Sequence, residues 1–301
     1  MPLTNGLPFS LAGILLLVLP LLWLLMVTLS FKKRHAWHSV ALIIWRTVLG
    51  LLLITLLFVI NWGANYGRES IETQFGLQTP QVSEADLERL LSTLTVTILE
   101  TSSAERDEAK AMASLVSSLK TTVVTVTGKV PNLPQKVKRL PDGSLILLGR
   151  ASGVMSPWTL EPHIDGALPE ISYLAIGAHE LAHVAGYAGE ADADFISALA
   201  GLKASDPFAR YAVALRFWQQ AYWQLPQEKQ AAFLARLPDS SRQDLNAMVA
   251  PFQKYQMPQF IQNLQQRSYN SYLKSQGVTE GIKDYSRTID LLIQAQKQGL
   301  I

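Results

Sequence analysis

Residues 179–195 read HELAHVAGYAGEADADF, and the rest of the sequence is interpreted outward from this stretch. It begins with the pattern His-Glu-x-x-His, from His179 to His183. On a helix, side chains at positions i and i+4 lie on the same face, one above the other. Gly186 follows, where the chain can turn sharply, and a second helical pattern begins at Glu190. The sequence therefore predicts two helices joined by a turn, with both histidines on one face of the first helix.

Two imidazoles at this spacing can bind one metal ion, with Glu180 beside them. Zinc is the natural ion for a site made of two histidine nitrogens and a carboxylate. Such an ion lowers the pKa of its bound water toward about 7, and Glu180 would take the proton as that water attacks a carbonyl carbon. We therefore expect Zn²⁺ as the cofactor and Glu180 as the catalytic base.

The second helical pattern supplies a candidate for the third ligand. Glu190 and Asp194 are again four residues apart. We expect Glu190 to bind the metal and Asp194 to orient a ligand imidazole from the second layer of the site. The alternative is that Glu190, Asp192 and Asp194 only favour the start of a helix, where the helix dipole attracts acidic groups.

The spacing of the acidic residues distinguishes between known classes of zinc peptidase. The metzincin pattern would require a third histidine at position 189, which is Gly189 here. The arrangement E-x-x-x-D instead resembles the glutamate helix of the gluzincins, the thermolysin-like superfamily. In thermolysin itself this glutamate lies much further along the chain, so Asp192, Asp194 and His163 stay open as third ligands.

The first 62 residues contain two long apolar runs. Residues 7–30 read LPFSLAGILLLVLPLLWLLMVTLS, and the second run extends over residues 40–62. About 20 apolar residues are enough for a helix to cross a bilayer core. The short loop between the runs contains Lys32, Lys33 and Arg34. We therefore predict a transmembrane hairpin with spans at about residues 7–30 and 40–62.

Charge sets the expected orientation of this hairpin. The positive-inside rule places the basic loop in the cytoplasm and everything after the second span outside. A cleavable signal peptide is the alternative for the first run, but its basic residues follow the apolar segment instead of preceding it. We expect a protein of the cytoplasmic membrane with a two-span anchor over residues 1–68 and an extracytoplasmic domain over residues 69–301.

Composition excludes several classes of function. The chain has 301 residues, of which 49% are hydrophobic and 17% charged, and it has no cysteine, which excludes disulfides, thiolate metal ligands and thiol catalysis. Residues 1–68 contain five basic residues and no acidic ones, whereas the remainder contains 21 basic and 24 acidic residues. Because the larger part carries a net charge of −3 and no basic stripe, nucleic-acid binding is not expected. The expected partners are the lipid bilayer and a peptide or protein substrate.

Local patterns in residues 69–301 are mainly helical. A capping box at Ser83 and Asp86 predicts a helix that ends near Thr101, and a second helix is predicted over residues 104–119. From Glu170 the pattern is helical nearly to the end of the chain. Short strands are predicted from β-branched and apolar residues over 121–127, 145–148 and 158–164. The expected fold class is mainly α with a small β element: a zincin-like metallopeptidase domain after a two-helix transmembrane hairpin.

At the level of the whole chain, the sequence resembles the bacterial domain-of-unknown-function 3810 family, membrane-anchored proteins with a predicted zinc-peptidase site. The segments that carry the resemblance are residues 62–68 (WGANYGR), 156–165 (SPWTLEPHID), 179–195 and 272–292 (YLKSQGVTEGIKDYSRTIDLL). The resemblance implies a zincin-like fold with His179, His183 and Glu190 as metal ligands and Glu180 as the base. It implies no particular substrate. Asp194 stands where the family usually has asparagine, which strengthens the likeness to the gluzincin pattern.

Other side chains are weaker candidates for the site. Tyr285 and Arg287 lie in the last of these segments and are candidates for stabilising the oxyanion, with a packing role as the alternative. His163 either lines the cleft or is a structural histidine. Trp218, Tyr222 and Trp223 are spaced as a helical core or a membrane-facing surface.

The leading hypothesis is a membrane-anchored zinc metallopeptidase that hydrolyses peptide bonds by metal-activated water. The alternative is a non-catalytic binding module, tethered to the membrane, with a structural or vestigial metal site.

Overall fold

A computed structural model describes residues 4, 6–32, 36–77, 82–260, 262–264, 267, 271 and 284–301. The fold is mostly helical, with one small sheet and two apolar helices near the N-terminus. This confirms the predicted balance of helix and strand.

The first two helices form the predicted hairpin. Helix α1 (Leu11–Lys32) and helix α2 (Ala36–Asn61) contact each other, and both are long and apolar enough to cross a membrane. Most of their large apolar side chains are exposed. Helix α1 begins at Leu11 instead of near residue 7, and the preceding Ser10 contacts His163 of the sheet. Helix α2 begins at Ala36, before the predicted residue 40, and ends at Asn61.

The helices that follow form the body of the molecule. After a short 3-10 helix (Gly63–Gly67) come α3 (Ile71–Phe75), α4 (Glu84–Thr101), α5 (Glu108–Thr127), α6 (Leu145–Leu148), α7 (Glu170–Val184), α8 (Glu190–Leu202), α9 (Pro207–Tyr222), α10 (Gln227–Leu234), α11 (Asp239–Lys254) and α12 (Asp284–Lys297). The capping box at the start of α4 is present as predicted: the Ser83 hydroxyl accepts from the backbone of Asp86, whose carboxylate accepts from the backbone of Ser83.

The sheet has three strands in the order β1-β3-β2. Strand β1 (Lys138–Leu140) runs parallel to β3 (Glu161–Asp165), and β2 (Gly153–Ser156) runs antiparallel to it. All residues of β3 are buried. Strand β2 therefore forms one edge of the sheet, and it contacts helix α7.

Helix α7 occupies the centre of the domain. It packs against α5, α8 and α9 on its helical side and against β2 and β3 on the other. Trp218 of α9 is fully buried, and its indole N–H donates to Thr95 of α4. Trp223 just beyond α9 is 67% exposed. The predicted aromatic group therefore divides between the core and the surface.

Two predicted strands are helical instead. Residues 121–127 continue helix α5, because the hydroxyls of Thr121, Thr125 and Thr127 donate to carbonyls four residues earlier and Val123 packs in the core. Residues 145–148 form the single turn of α6, since four apolar residues do not distinguish a strand from a buried helical turn.

The prediction of a strand over residues 158–164 was partly wrong. The strand begins only at Glu161, because the preceding residues form the turn from β2, in which Leu160 has a positive φ of 53°. Strands β1 and β2 were not predicted from the sequence.

Candidate metal centre

His179 and His183 both lie on helix α7, most of which is buried. His179 and His183 are 5% and 7% exposed. The helix ends at Val184, and Gly186 adopts a φ of +90°, a conformation that favours glycine. The chain then reverses into α8, which begins at Glu190. The predicted turn between the two helices is therefore present.

Three side-chain atoms converge between α7 and α8. The Nε2 atoms of His179 and His183 are 3.1 Å apart, and Oε2 of Glu190 lies 3.2 Å from the first and 3.7 Å from the second. These residues form a group whose donor atoms lie within 4.8 Å of one another, close enough to bind one metal ion. Two imidazole nitrogens and a carboxylate are three of the ligands that zinc takes in open, catalytic sites.

The opposite ring nitrogens are held by acceptors. Nδ1 of His179 lies 2.7 Å from Oδ1 of Asp194, and Nδ1 of His183 lies 2.7 Å from the carbonyl oxygen of Tyr187. Because a carboxylate and a carbonyl oxygen can only accept, each Nδ1 carries the proton and donates. With Nδ1 protonated, each ring has Nε2 as its remaining donor atom for a metal, and both Nε2 atoms lie beside Glu190, so the residues present fit a bound cation that would take the place of a proton.

Asp194 is fixed by residues from two further helices. Arg216 of α9 donates from Nη2 to Oδ1 of Asp194 at 2.6 Å and from Nη1 to the carbonyl of Ala175 at 3.3 Å. Thr288 of α12 donates to Oδ2 of Asp194 at 3.5 Å. Asp194 is completely buried. The carboxylate that orients His179 is thus held by residues that the sequence analysis did not identify.

The acidic and basic groups of this cluster shift one another's pKa values. Burial would raise the pKa of Glu190, but its contacts with His179 and His183 hold it well below the usual value. Burial would likewise raise the pKa of Asp194, but Arg216 and His179 lower it. Burial would lower the pKa of His179, but Asp194 and Glu190 outweigh this effect and raise it to about 10. The cluster therefore holds two carboxylates charged, and in the metal-free chain the protonated His179 and Arg216 balance them.

Glu180 differs from the other carboxylates. It is 4% exposed, and burial raises its pKa, which the neighbouring His179 and His183 offset only in part. Its Oε2 atom is buried without a hydrogen-bond partner. A side chain on Gly153 of β2 would lie 2.6 Å from its Oε1 atom. Glu180 is therefore a buried carboxylate with an unsatisfied oxygen, packed against the edge strand of the sheet.

The remaining candidates lie around this cluster, not within it. The ring of His163 contacts the Ser10 hydroxyl at 2.8 Å and the Val154 carbonyl at 3.3 Å. Arg287 forms ion pairs with Asp192 at 3.0 Å and with Glu72 at 2.7 Å. The backbone of Tyr285 belongs to α12, but its side chain lies outside the described residues.

The segment that follows α2 contacts the candidate metal centre. The indole N–H of Trp62 donates to the carbonyl of His183 at 3.2 Å, and the two rings meet edge to face at 6.3 Å. Arg68 donates to the carbonyl of Ala185 at 3.4 Å and stacks over the ring of Tyr187 at 4.3 Å. These contacts join the segment that follows α2 to the turn between α7 and α8.

Comparisons with known proteins bear on the whole chain. The model of the family described as "Protein of unknown function (DUF3810)" matches residues 1–293. Neither the curated proteins nor the solved structures contain a match. The matched range includes both apolar helices and every residue of the cluster around His179, and the chain therefore belongs to the DUF3810 family.

Proposed function

We propose that this protein is a membrane-anchored, zinc-dependent peptidase. The observation that carries the proposal is the convergence of three acceptor atoms, Nε2 of His179, Nε2 of His183 and Oε2 of Glu190, beside a buried carboxylate with an unsatisfied oxygen. Without a metal these atoms can lie this close because the pKa of His179 is raised and its ring is protonated, and a bound cation would take the place of that proton. Two imidazoles and a carboxylate, without any thiolate, are typical of catalytic zinc sites.

In this proposal each residue has a defined task. His179, His183 and Glu190 would hold the metal, while Asp194 and the Tyr187 carbonyl would keep the two rings in the required tautomer. A bound zinc ion supplies Lewis acidity and an acidic water molecule.

Glu180 is proposed to accept the proton of that water and to pass it to the leaving amine. Burial raises the pKa of Glu180, which brings this carboxylate closer to neutral pH and makes it a better base.

In this proposal an extended peptide substrate pairs with the edge strand β2. In the antiparallel pair, Val154 faces His163 and Met155 faces Pro162, which has no N–H to donate. Hydrogen-bonded and non-hydrogen-bonded pairs alternate along such a ladder, so the backbone groups of Gly153 and Met155 face the outer edge of the sheet, where no strand among the described residues pairs with β2. A peptide that adds to this edge would pass Gly153, against which Glu180 packs.

The decisive experiment compares Glu180→Gln with the unchanged chain. Both are purified at full length in lipid nanodiscs, their zinc content is measured by mass spectrometry, and they are incubated with a peptide library. We expect equal zinc content and a loss of cleavage by a factor of about 10² to 10⁴ in the variant, the usual contribution of a general base. Glu170→Gln is the matched control, because Glu170 is an exposed glutamate in the first turn of the same helix.

The possible results separate the candidate functions. A chain that binds no metal after careful preparation would refute the zinc site. Bound metal with equal cleavage by the unchanged chain and Glu180→Gln would refute the role of Glu180. Bound metal with no cleavage by either would favour a tethered binding module.

We further propose that the domain lies outside the cytoplasmic membrane. The support is the basic loop around Lys33, which the positive-inside rule places in the cytoplasm. A reporter enzyme that is active only in the cytoplasm should be silent when it is fused after Ile301. A strong signal would overturn this orientation.

A further inference from the structure

The metal centre lies beside the end of an apolar helix that is long enough to cross a membrane. The apolar stretch ends at Asn61, and the next residue, Trp62, donates to the backbone of His183. Trp62 also meets the ring of Tyr66 edge to face at 5.3 Å. Tryptophan and tyrosine concentrate at membrane–water interfaces. If α2 spans the bilayer, Trp62 and the end of α7 that it contacts therefore lie at the level of the lipid headgroups.

The turn between β2 and β3 lies against the same helix. Asn61 donates from Nδ2 to the carbonyl of Trp158 at 3.3 Å, and the indole of Trp158 donates to the carbonyl of Ile54 at 3.1 Å. Ile54 lies two helical turns before Asn61, about 10 Å further into the apolar stretch. The backbone of this turn is thus level with the end of α2, and its indole reaches toward the bilayer.

The start of α1 fixes the other side of this turn. Glu161 accepts from the backbone N–H groups of Leu11 and Ala12 at 3.1 and 2.8 Å, and it forms a buried ion pair with Lys138. The hydroxyl of Thr4 donates to the carbonyl of Thr159 at 3.2 Å. Both apolar helices therefore meet the sheet at the β2–β3 turn.

Strand β2 connects this membrane level to the proposed catalytic base. It runs from Gly153, against which Glu180 packs, to Ser156 at the turn, a distance of about 10 Å at 3.3 Å per residue. Val154, at the middle of the strand, is 41% exposed. A peptide extended along the open edge would enter the bilayer only about five residues from the bond beside Glu180.

We infer that the substrates are polypeptides anchored in the same membrane, cut in the extended segment that emerges directly from the bilayer. This inference rests on the proposed function. A transmembrane helix or a lipid chain could supply the anchor, and the shared requirement is an unfolded stretch of about five residues between the bilayer and the cut. Soluble peptides would fit the edge but would lack the increase in effective concentration that an anchor provides.

The test measures binding, so that it does not depend on cleavage. Full-length Glu180→Gln carries a photo-crosslinking amino acid in place of Val154 and is reconstituted into phosphatidylcholine vesicles. The probes are pools of random decapeptides that carry either an acetyl group, a palmitoyl chain, or a palmitoyl chain followed by a flexible spacer of about 20 residues. Lengthening the tether from about 5 to 25 residues lowers the effective concentration about ten-fold, because it falls as the −3/2 power of length.

We expect the palmitoylated pool to be captured about ten-fold more than the pool with the spacer, and the acetylated pool least of all. The same crosslinker in place of Val130, which is 73% exposed and lies outside the sheet, measures non-specific capture. A crosslinker in place of Ser156 provides a second position on β2 in case the first variant does not fold.

Equal capture of the acetylated and palmitoylated pools would overturn the inference, as would equal capture with and without the spacer. Capture no greater at position 154 or 156 than at Val130 would overturn it as well. If the anchored peptides are captured preferentially but the unchanged chain cleaves no peptide, only the proposed peptidase activity is refuted. Cleavage of soluble and anchored peptides at equal rates would refute only the anchored substrate.

Discussion

Asp194→Asn is the substitution that best tests how the candidate metal centre is held together. Asp194 is completely buried, and its Oδ1 atom accepts from Nδ1 of His179 at 2.7 Å and from Arg216 at 2.6 Å. Asparagine has nearly the same shape and retains one carbonyl oxygen, so both hydrogen bonds can persist. The change removes the negative charge and leaves the volume of the core intact.

The expected loss of stability follows from the two hydrogen bonds. A hydrogen bond to a charged group contributes about 1.5–3 kcal/mol, and a neutral one about 0.5–1.5 kcal/mol. The bond from His179 then meets a neutral acceptor and weakens by about 1 kcal/mol. Arg216 keeps its charge but loses its counter-charge, which costs about 1 kcal/mol more, so the free energy of unfolding falls by about 2 kcal/mol in total. Zinc affinity should fall by a factor of about 10 to 100, as is usual when the partner of a ligand histidine is changed.

Both quantities can be measured on the full chain in detergent. Zinc affinity is obtained by competition with a chelator, and stability by thermal unfolding, where 2 kcal/mol corresponds to a shift of about 4–8 °C for a domain of this size. Asp206→Asn is the matched control: Asp206 is also buried, but it caps the start of α9, and asparagine caps helices equally well. Unchanged zinc affinity in Asp194→Asn would refute the reasoning, because His179 would then need no charged partner.

Three further predictions concern Gly153, His179 and the ion pair of Lys138 with Glu161. Gly153→Ala should abolish peptide cleavage and lower the free energy of unfolding by about 1–3 kcal/mol, because the new methyl group would lie 2.6 Å from Oε1 of Glu180. The control Gly67→Ala, whose methyl group would have nothing within 4 Å, should keep full activity. In metal-free protein the pKa of His179 is raised to about 10. Protonated His179 should therefore stabilise the folded state fully below about pH 6.5, and this contribution should vanish as pH rises toward 10. A urea midpoint that does not fall over this range, or that falls equally in His179→Ala, would contradict this prediction. Lys138→Met should lower the free energy of unfolding by about 3–5 kcal/mol, because it leaves Glu161 charged and buried. The double variant with Glu161→Gln should recover part of this loss in thermal unfolding. Full additivity of the two changes would show that the two side chains do not stabilise each other.

The central motif could be predicted because its spacing is local. His179 and His183 are neighbours on any helix, and Gly186 and Glu190 follow within one turn and the start of the next helix. The distances between their side chains depend on only a few backbone angles, so the sequence indicates the arrangement directly. The same is true of the capping box at Ser83.

The second layer of the site depends on contacts between distant segments, and the sequence analysis missed it. Arg216 was detectable in part, because it shares a buried face of α9 with Ala212 and Val213, and a basic residue there requires an acidic partner. The sequence does not say which acid that partner is. The contact between Trp62 and the His183 carbonyl joins residues 121 apart, and no local pattern indicates it.

The prediction of a strand over residues 121–127 was wrong for a different reason. Residues 121–127 have the β-branched composition of a strand, but the threonines satisfy their hydroxyls within the helix and Val123 faces the core. Packing of the long helix α5 outweighs the local preference, which amounts to only a few tenths of a kcal/mol per residue.

The contacts of Thr288 and Ser10 have a consequence for how the candidate metal centre forms during folding. Thr288 contacts Asp194 from α12, and Ser10 contacts His163 of β3 from just before α1. These contacts join segments that are far apart in the sequence to the residues around α7 and α8. Bringing distant segments together costs loop-closure entropy before their contacts can contribute any stability. We therefore expect the contact of Thr288 with Asp194 to form late in folding, after the local pairing of α7 with α8.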